Sequence, residues 1–359
     1  MTANPLITVV VNNYNYGRFV QSAIDSALDQ AYAPLEVVVV DDGSSDDSRA
    51  TIASYGNRII PIFQPRLGQA AALNAGFSRS RGDVVIFLDA DDYLVPGVLA
   101  TVAGAFVEDP SLAKVEYRMR IVDSLGQPGG VLPLEYLPRR SGDLRDQALA
   151  CPFDSTWMAT SGNAFARRAL TQIMPIPVDA YGHIGADWYL SHLSVLCGTI
   201  RFLDDIGACR RLHDGNGYES SCTTLDLAQI RQSLTFMRTT AEYLRRFART
   251  GGTTGVPRQI LSVTYVAQRL ISFRLDHDNH PFVGDSTIKL LALSFIATLR
   301  RVDAPLGLKI LLLIWFAAMA FAPAPMDGQL ACWFLRPETR KPLNLALGLA
   351  HRVRVVRPV

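Results

Sequence analysis

Cysteine is scarce and unpatterned in this 359-residue chain: Cys151, Cys197, Cys209, Cys222 and Cys332 include no CxxC pair. An odd, scattered set gives no disulfide framework, and no motif activates any of these thiols. A disulfide scaffold, a zinc site and a cysteine nucleophile are therefore set aside, and a reducing, cytosolic setting is expected. A strong charge of one sign is missing too, since 35 Lys and Arg stand against 33 Asp and Glu, a formal net charge of +2. That balance argues against a nucleic-acid partner, which usually demands a basic face. The sequence has no internal repeat and no low-complexity tract. It enters a strand-like segment, Leu6 to Val11, without a basic stretch followed by a long apolar run, so a cleaved leader is not expected.

What is present is hydrophobic residues, 49% of the chain, ample for one large domain with additions or for two domains. Charge is spread unevenly. Residues 1–100 hold 6 Lys and Arg against 11 Asp and Glu, a net of −5, and residues 282–359 hold 10 against 4, a net of +6. An acidic first third suits cation binding, and a basic, apolar tail suits an anionic membrane leaflet.

The first hundred residues alternate strand and helix patterns. Ile7–Val11, Val37–Val40, Ile59–Phe63 and Val84–Leu88 are short apolar or β-branched runs. Between them, Phe19, Val20, Ala23, Ile24, Ala27 and Leu28 recur at helical spacing, and Ala71–Phe77 lies on a helix opened by Gly68. Near-continuous apolar strands imply a parallel sheet covered on both faces, hence a doubly wound α/β sheet. Pro96 is expected to open another helix. Val115, Tyr117, Met119 and Ile121 then alternate with Glu116, Arg118 and Arg120, which predicts a strand buried on one face and antiparallel to its neighbours. Residues 131–160 read mostly as loop, and from Leu225 onward the pattern is helical.

In an open α/β sheet, ligands bind beyond the carboxyl ends of the strands. There the sequence places Asn12-Asn13-Tyr14-Asn15, Asp41-Asp42-Gly43-Ser44 and Asp89-Ala90-Asp91-Asp92. Crowded carboxylates repel, and a divalent metal compensates them. Mg²⁺ or Mn²⁺ binds through one or two carboxylates plus substrate phosphates and would neutralise a diphosphate leaving group. Asp-rich turns are also ordinary caps, with Ser44 or Ser45 the candidate N-cap. Two acidic clusters at corresponding strand ends favour the metal.

Four segments, in order, resemble the inverting family 2 glycosyltransferases of GT-A fold: Val9–Asn15, Glu36–Asp46, Gly68–Gly76 and Gly82–Asp92. The resemblance is clear to about residue 217. It implies a Rossmann-like, mixed, mostly parallel sheet flanked by helices and followed by a helical C-terminal region. It implies transfer of a sugar from a nucleotide-diphosphate donor, a UDP-sugar favoured. By position, Asn13 and Tyr14 would line the base pocket and Asp42 would accept a hydrogen bond from the base. Asp89 and Ala90 would contact the nucleotide, and Asp91 would bind the metal. Gln69 and Asn74 fall where the family lines the nucleotide site, or else serve helix packing and capping.

Inverting transfer needs a general base for the acceptor hydroxyl, usually a carboxylate. Tyr181–Leu190 resembles the family's acidic motif before an acceptor-side helix, but the usual Glu-Asp pair reads Ala186-Asp187. Asp187 is thus the candidate base there, the alternative being a helix cap. Arg210–Asn216 resembles the late Arg-x-His segment, in which His213 approaches the metal or diphosphate, or else satisfies a loop hydrogen bond. Thr160–Asn163 resembles an acceptor-side turn and has no assigned role. Trp157 and Trp188 either stack on a sugar or pack in the core.

Ile310–Met326 is free of charged residues but only seventeen residues long, interrupted by Pro323 and Pro325, at the lower edge of a spanning helix. Ile288–Leu299 is shorter still. The pair lies on an anionic membrane, is buried against the catalytic domain or a second subunit, or spans; the first is favoured, which implies a cytoplasmic protein peripheral to the inner face of the plasma membrane. Residues 1–222 are expected to form the catalytic domain, with 1–110 holding the donor and 111–222 the acceptor, and 223–359 a helical region. The expected activity is an inverting transfer to a hydroxyl of a glycan or lipid-linked acceptor. A polyprenyl-phosphate glycosyltransferase and an inactive nucleotide-sugar-binding protein are the alternatives.

Overall fold

A computed structural model describes residues 4–132, 140–155, 157–182, 185–213, 224–253, 256–257, 259, 261–301, 304–323, 326–335 and 354–356. Along the chain, β1 (Ile7–Asn13), α1 (Gly17–Leu28), β2 (Leu35–Asp42), α2 (Ser48–Ala53), β3 (Ile60–Gln64), α3 (Gln69–Arg79) and β4 (Val84–Asp89) form the expected alternation. There follow β5 (Tyr93–Leu94), α4 (Val98–Glu108), β6 (Leu112–Val122), β7 (Pro128–Leu132), α5 (Arg145–Ala150), β8 (Asn163–Ala166) and α6 (Arg167–Ile173). After them come α7 (Val178–Tyr181), α8 (Ala186–Ser194), β9 (Thr199–Arg211), β10 (Thr224–Asp226) and α9 (Leu227–Thr250). The last are α10 (Val263–Leu275), α11 (Thr287–Arg300), α12 (Leu306–Phe321), α13 (Met326–Leu335) and β11 (Arg354–Val356). The chain divides into two compact units, residues 1–146 with 156–215, and residues 147–155 with 216–359.

The first unit is built on a nine-stranded sheet in the order β3-β2-β1-β4-β8-β6-β9-β5, with β7 beside β6. The stretch β3-β2-β1-β4 is parallel throughout. Strands β1, β2 and β4 are buried on both faces, and every residue of β1 from Ile7 to Val11 is buried; the edge strand β3 alternates half-buried and exposed residues. Helix α3 can lie close to the sheet because Gly76 has no side chain; a Cβ there would stand 2.2 Å from Val10 Cγ1. Since β2 and β4 flank β1 on opposite sides, their crossovers leave opposite faces, and a crevice opens at the carboxyl ends where they part.

Beyond β4 the sheet turns antiparallel through β8, which pairs with both β4 and β6. The single-faced strand expected near residue 115 is β6, and it departs from that expectation. It runs antiparallel to β7 and β8 but parallel to β9. It is also buried on both faces over most of its length, because two of its charged residues neutralise each other. Lys114 Nζ lies 2.9 Å from Glu116 Oε1, with neither side chain more than 4% exposed. The ammonium also sits 4.1 Å from the centre of the Trp157 ring, and burial lowers the Lys114 pKa against the opposing pull of Glu116. Residues 131–160, expected as loop, carry the end of β7, α5 and a 3₁₀ turn at Pro152–Asp154, while 133–139 and 156 lie outside the described residues.

The second unit is helical. Asp226 caps α9 by accepting from the backbone N–H groups of Ala228 and Gln229 at 2.8 and 3.3 Å. Helix α9 buries a stripe that includes Leu227, Ile230, Leu234, Met237, Ala241 and Leu244. Helix α10 is central, touching α9, α11, α12 and α13. The segment 147–155 joins this unit through its carboxylate: Asp154 accepts the otherwise orphaned N–H groups of Val263 and Thr264, each at 2.9 Å, at the start of α10. No helix among the described residues is long and apolar enough to cross a membrane.

Candidate active site

The register of the parallel strands sets the site. Asn12 lies opposite Asp89, Asn13 opposite Asp41, and Asp42 opposite Gln64. The polar residues that follow three apolar strands are therefore neighbours in space, one strand spacing apart.

Asp89 is held by amides. Its Oδ1 accepts from Asn12 Nδ2 at 3.0 Å and from Gln69 Nε2 at 3.1 Å, and its backbone N–H donates to Ser161 Oγ at 3.1 Å. Burial and the charge of Asp91 raise its pKa to about 6, against the amide hydrogen bonds; the charge of Asp187 adds to the rise. Asp187 thus lies within electrostatic reach of the acidic turn. Ala90 is buried, with its N–H on Asn12 O at 3.1 Å. Asp92 accepts the Arg211 N–H at 3.0 Å, and burial followed by its acidic neighbours pushes its pKa well up. The phenol of Tyr16 is lifted to about 12 by burial and by Asp91, Asp89 and Asp92 in turn. The site carries an excess of negative charge that nearby groups feel.

Asp91 Oδ2 stands 3.2 Å from His213 Nε2. The histidine is fixed by rings, 5.0 Å from Phe19 and 5.4 Å from Tyr16 between centroids. Arg211 locks the same corner by donating from Nε to Asp91 O at 3.0 Å and lying over Phe19 and Tyr93. Among the described residues no group of three or more His, Cys, Asp or Glu is arranged to hold a metal ion. One carboxylate and one imidazole nevertheless fit an ion that takes its remaining ligands from a diphosphate and water. The acidic excess fits a cation as well. The buried Oδ1 atoms of Asn12 and Asn13, which have no hydrogen-bond partner among the described residues, leave acceptors for a ligand's donors.

Asp42 is engaged on several sides. It accepts from Gln64 Nε2 at 2.7 Å and from the N–H groups of Leu67 and Gly68 at 2.8 and 2.7 Å, fixing the loop into α3. Gly43, at φ +76°, lets that loop approach: a Cβ there would lie 2.5 Å from Arg66 N. Half-buried Tyr14 carries the Arg66 guanidinium 4.2 Å from its ring centre. Asn13 donates to Asp41 Oδ1 at 2.9 Å and to Ser44 Oγ at 3.1 Å. Ser44 is therefore tied to β1 and is not the cap of α2, whose N-cap position is Asp47. Asn74 spends both ends of its amide on the Ile176 backbone, at 2.8 and 2.9 Å, and so joins α3 to the segment before α7.

Asp187 sits in the first turn of α8 rather than at its cap, which is Gly185 at φ +89°. Its Oδ1 accepts the Trp188 N–H at 2.9 Å. Burial raises its pKa, partly offset by that bond and by the charge of Arg210. Trp188 stacks on His192 at 5.4 Å, and Trp157 meets the same ring edge-on at 5.9 Å. His183 and Ile184 of this motif, and Asp214–Asn216 after His213, lie outside the described residues.

Sequence reasoning gave no role to several residues that build the site. Asn12, Tyr16 and Asp92 stand beside residues it singled out, so adjacency was the available signal. Arg210 and Arg211 belong to the segment read with His213, where arginine suits a phosphate. Ser161 lies in the turn singled out by resemblance without a role, because a serine in a turn is legible as a partner of Asp89 only once β8 is placed beside β4.

Comparisons with known proteins fit this geometry. The profile of glycosyl transferase family 2 matches residues 8–172. An uncharacterized glycosyltransferase of Nostoc sp. (strain PCC 7120) is 32% identical over 245 residues, 67% of this chain and 75% of that protein. The chondroitin synthase of Pasteurella multocida is 36% identical over 125 residues, 34% of this chain but 13% of the synthase, so what that enzyme makes is its own property. Among solved structures, S. aureus TarS 1-349 in complex with UDP-GlcNAc matches with a TM-score of 0.51 at 14% identity, over 88% of this chain and 90% of that one. That likeness concerns the fold alone, a GT-A fold. The chain belongs to glycosyl transferase family 2.

Proposed function

We propose that the enzyme transfers a sugar, with inversion, from a nucleotide-diphosphate sugar to a hydroxyl of a glycan or lipid-linked acceptor. The observation that carries this reading is the meeting of Asp91 with His213 at 3.2 Å beside Asp89, at the carboxyl ends of the parallel strands. Asp187, on the acceptor-side helix, takes the hydroxyl proton as the acceptor oxygen bonds to the anomeric carbon and the nucleoside diphosphate departs. A carboxylate made more basic by burial suits that task. Asn13, Tyr14 and the remaining acceptor capacity of Asp42 receive the base, a uracil favoured, while Asn12 and Gln69 orient Asp89 toward the nucleotide.

Asp91 and His213 would hold Mn²⁺ or Mg²⁺, which supplies Lewis-acid neutralisation of the diphosphate leaving group. The catalytic domain is taken as residues 1–222, with donor and acceptor halves meeting near 110, and the place of action as the cytoplasmic face of a membrane. The exposed apolar faces of α11 and α12 favour a lipid-linked acceptor; transfer to the phosphate oxygen of a polyprenyl phosphate is the alternative.

The test is a donor-hydrolysis panel of UDP-, GDP- and dTDP-sugars with Mn²⁺ or Mg²⁺. One nucleoside diphosphate should be released in a metal-dependent manner, and Asp91→Asn should cut that release by at least about 100-fold. Failure of every donor to bind, with or without metal, would overturn the reading. Tight donor binding without turnover, with any acceptor, would favour the inactive binding protein.

A further inference from the structure

Helix α11 is inside out, and α12 is apolar on its buried and its exposed side alike. On α11 the buried stripe is Leu290, Ser294, Ala297 and Thr298, two of the four polar, while Ile288, Phe295, Ile296 and Leu299 are between 40% and 82% exposed. A helix packed on a protein core in water shows the reverse arrangement. On α12, which packs against α11, Leu306, Ile310, Leu311, Ile314 and Phe321 are between 44% and 73% exposed. The positions 307, 310, 314, 317 and 321 follow a helical period, so the apolar exposure is a continuous face rather than scattered residues.

The charges at the closed end of this hairpin are mostly positive. Arg300 and Arg301 end α11, and Lys309 of α12 reaches back to Leu299 O at 3.3 Å, so cations gather there. Lys289, at the other end of α11, is paired with Asp285 at 3.1 Å. Across residues 287–321 the sequence offers a single acid, Asp303. A self-complementary dimer face would need acids to meet these cations on the same surface. An anionic lipid surface supplies them without any. The helices have 14 and 16 residues, roughly 21 and 24 Å at ~1.5 Å per residue, against a hydrocarbon core of about 30 Å. They suit lying in the interface and not crossing it.

We infer that the outward face of the α11–α12 hairpin docks on an anionic membrane surface, with Phe295, Leu299, Ile310, Ile314 and Phe321 entering the acyl boundary and Arg300 and Lys309 meeting lipid phosphates. This specifies the place of action proposed above, yet it rests on the helices alone. The experiment is flotation of the full chain with vesicles of phosphatidylcholine, with or without phosphatidylglycerol, in the absence of any sugar donor. Its failure would leave the glycosyl-transfer reading standing, and the reverse also holds.

Wild-type protein should float with the anionic vesicles and much less with the neutral ones. Phe295→Asp with Ile314→Asp should lower partition by at least about tenfold while leaving the thermal melting profile and donor hydrolysis in place. To separate binding from any loss of folding in that pair, Arg300→Gln with Lys309→Gln is the second variant; it should weaken binding and flatten its salt dependence. Three results would each overturn the inference. The wild type could stay unbound with both lipids. The acidic double variant, folded, could float as the wild type does. Or the wild type could be a dimer that the double variant splits, with no vesicle binding, which would make the occupant a second copy of the chain.

Discussion

At the ends of β1, β2 and β4, the first unit turns carboxylates and amides inward and gives most of them a named partner. Asp89 has Asn12 and Gln69, Asp42 has two backbone N–H groups, and Asp91 has His213. In the second unit, α11 and α12 send Phe295, Ile314 and Phe321 outward and keep Ser294 and Thr298 inside. Both regions depart from the usual division of polar and apolar groups, in opposite directions. Buried charge costs several kcal/mol unless compensated, so its persistence at the sheet edge points to a charged ligand. Exposed apolar surface costs little in the folded chain but favours a surface that removes it from water. One departure is built into the sheet; the other lies on a face whose side chains can be changed without disturbing a core.

That contrast can be broken most sharply at Asp187. Asp187→Asn should lower transfer by about 10²–10⁴-fold while donor affinity stays nearly constant. Equal loss of donor binding, by calorimetry, would remove it as the base. The base acts unprotonated, so the wild-type rate should fall as pH drops through the Asp187 pKa. Because burial raises that pKa, the fall should begin above the ordinary carboxylate range, and a pH–rate profile would locate it.

Next comes Lys114→Met, which strands Glu116 in the interior and should cost about 3–5 kcal/mol in urea unfolding. The double variant Lys114→Met with Glu116→Leu should recover most of it; no recovery would mean that the pair matters for more than its charges.

A smaller effect is expected at Ser161→Ala, which removes the acceptor of the Asp89 N–H and should cost about 1 kcal/mol. Its signature is a reduced donor affinity alongside the lower melting temperature, since the acidic turn loses a support. Smallest of all, Phe295→Ser and Ile314→Ser should each change unfolding free energy by less than about 0.5 kcal/mol. A large loss of stability at either would show that the face is packed in the free protein, against the exposure on which the contrast depends.

Much of the first unit was legible in the sequence. Apolar runs of five residues or so mark the strands β1–β4, and those ending in Asn or Asp, which are β1, β2 and β4, mark the edge where a ligand sits. The alternation of β6 was read correctly as a strand and wrongly as single-faced. Periodicity counts Lys114 and Glu116 as polar, whereas two opposite charges two residues apart can neutralise each other inside. The segment 147–155 was equally opaque, because Asp154 finds its partners at Val263 and Thr264, more than a hundred residues away. Loop composition does not show which distant helix needs its N-terminus capped.

The sequence by itself determined the fold class, the parallel core and the family, since all three rest on local patterns repeated in order: apolar runs, turn residues, acidic strand ends. Tertiary structure decided which of those acids share a site and what holds each one. It put Asn12 beside Asp89 through strand register, His213 beside Asp91 across 122 residues, and Asp187 within electrostatic reach of Asp89. It also decided which face of α11 is buried. Composition makes that helix apolar in either case, and only packing against α10 and α12 shows that the polar stripe went inside.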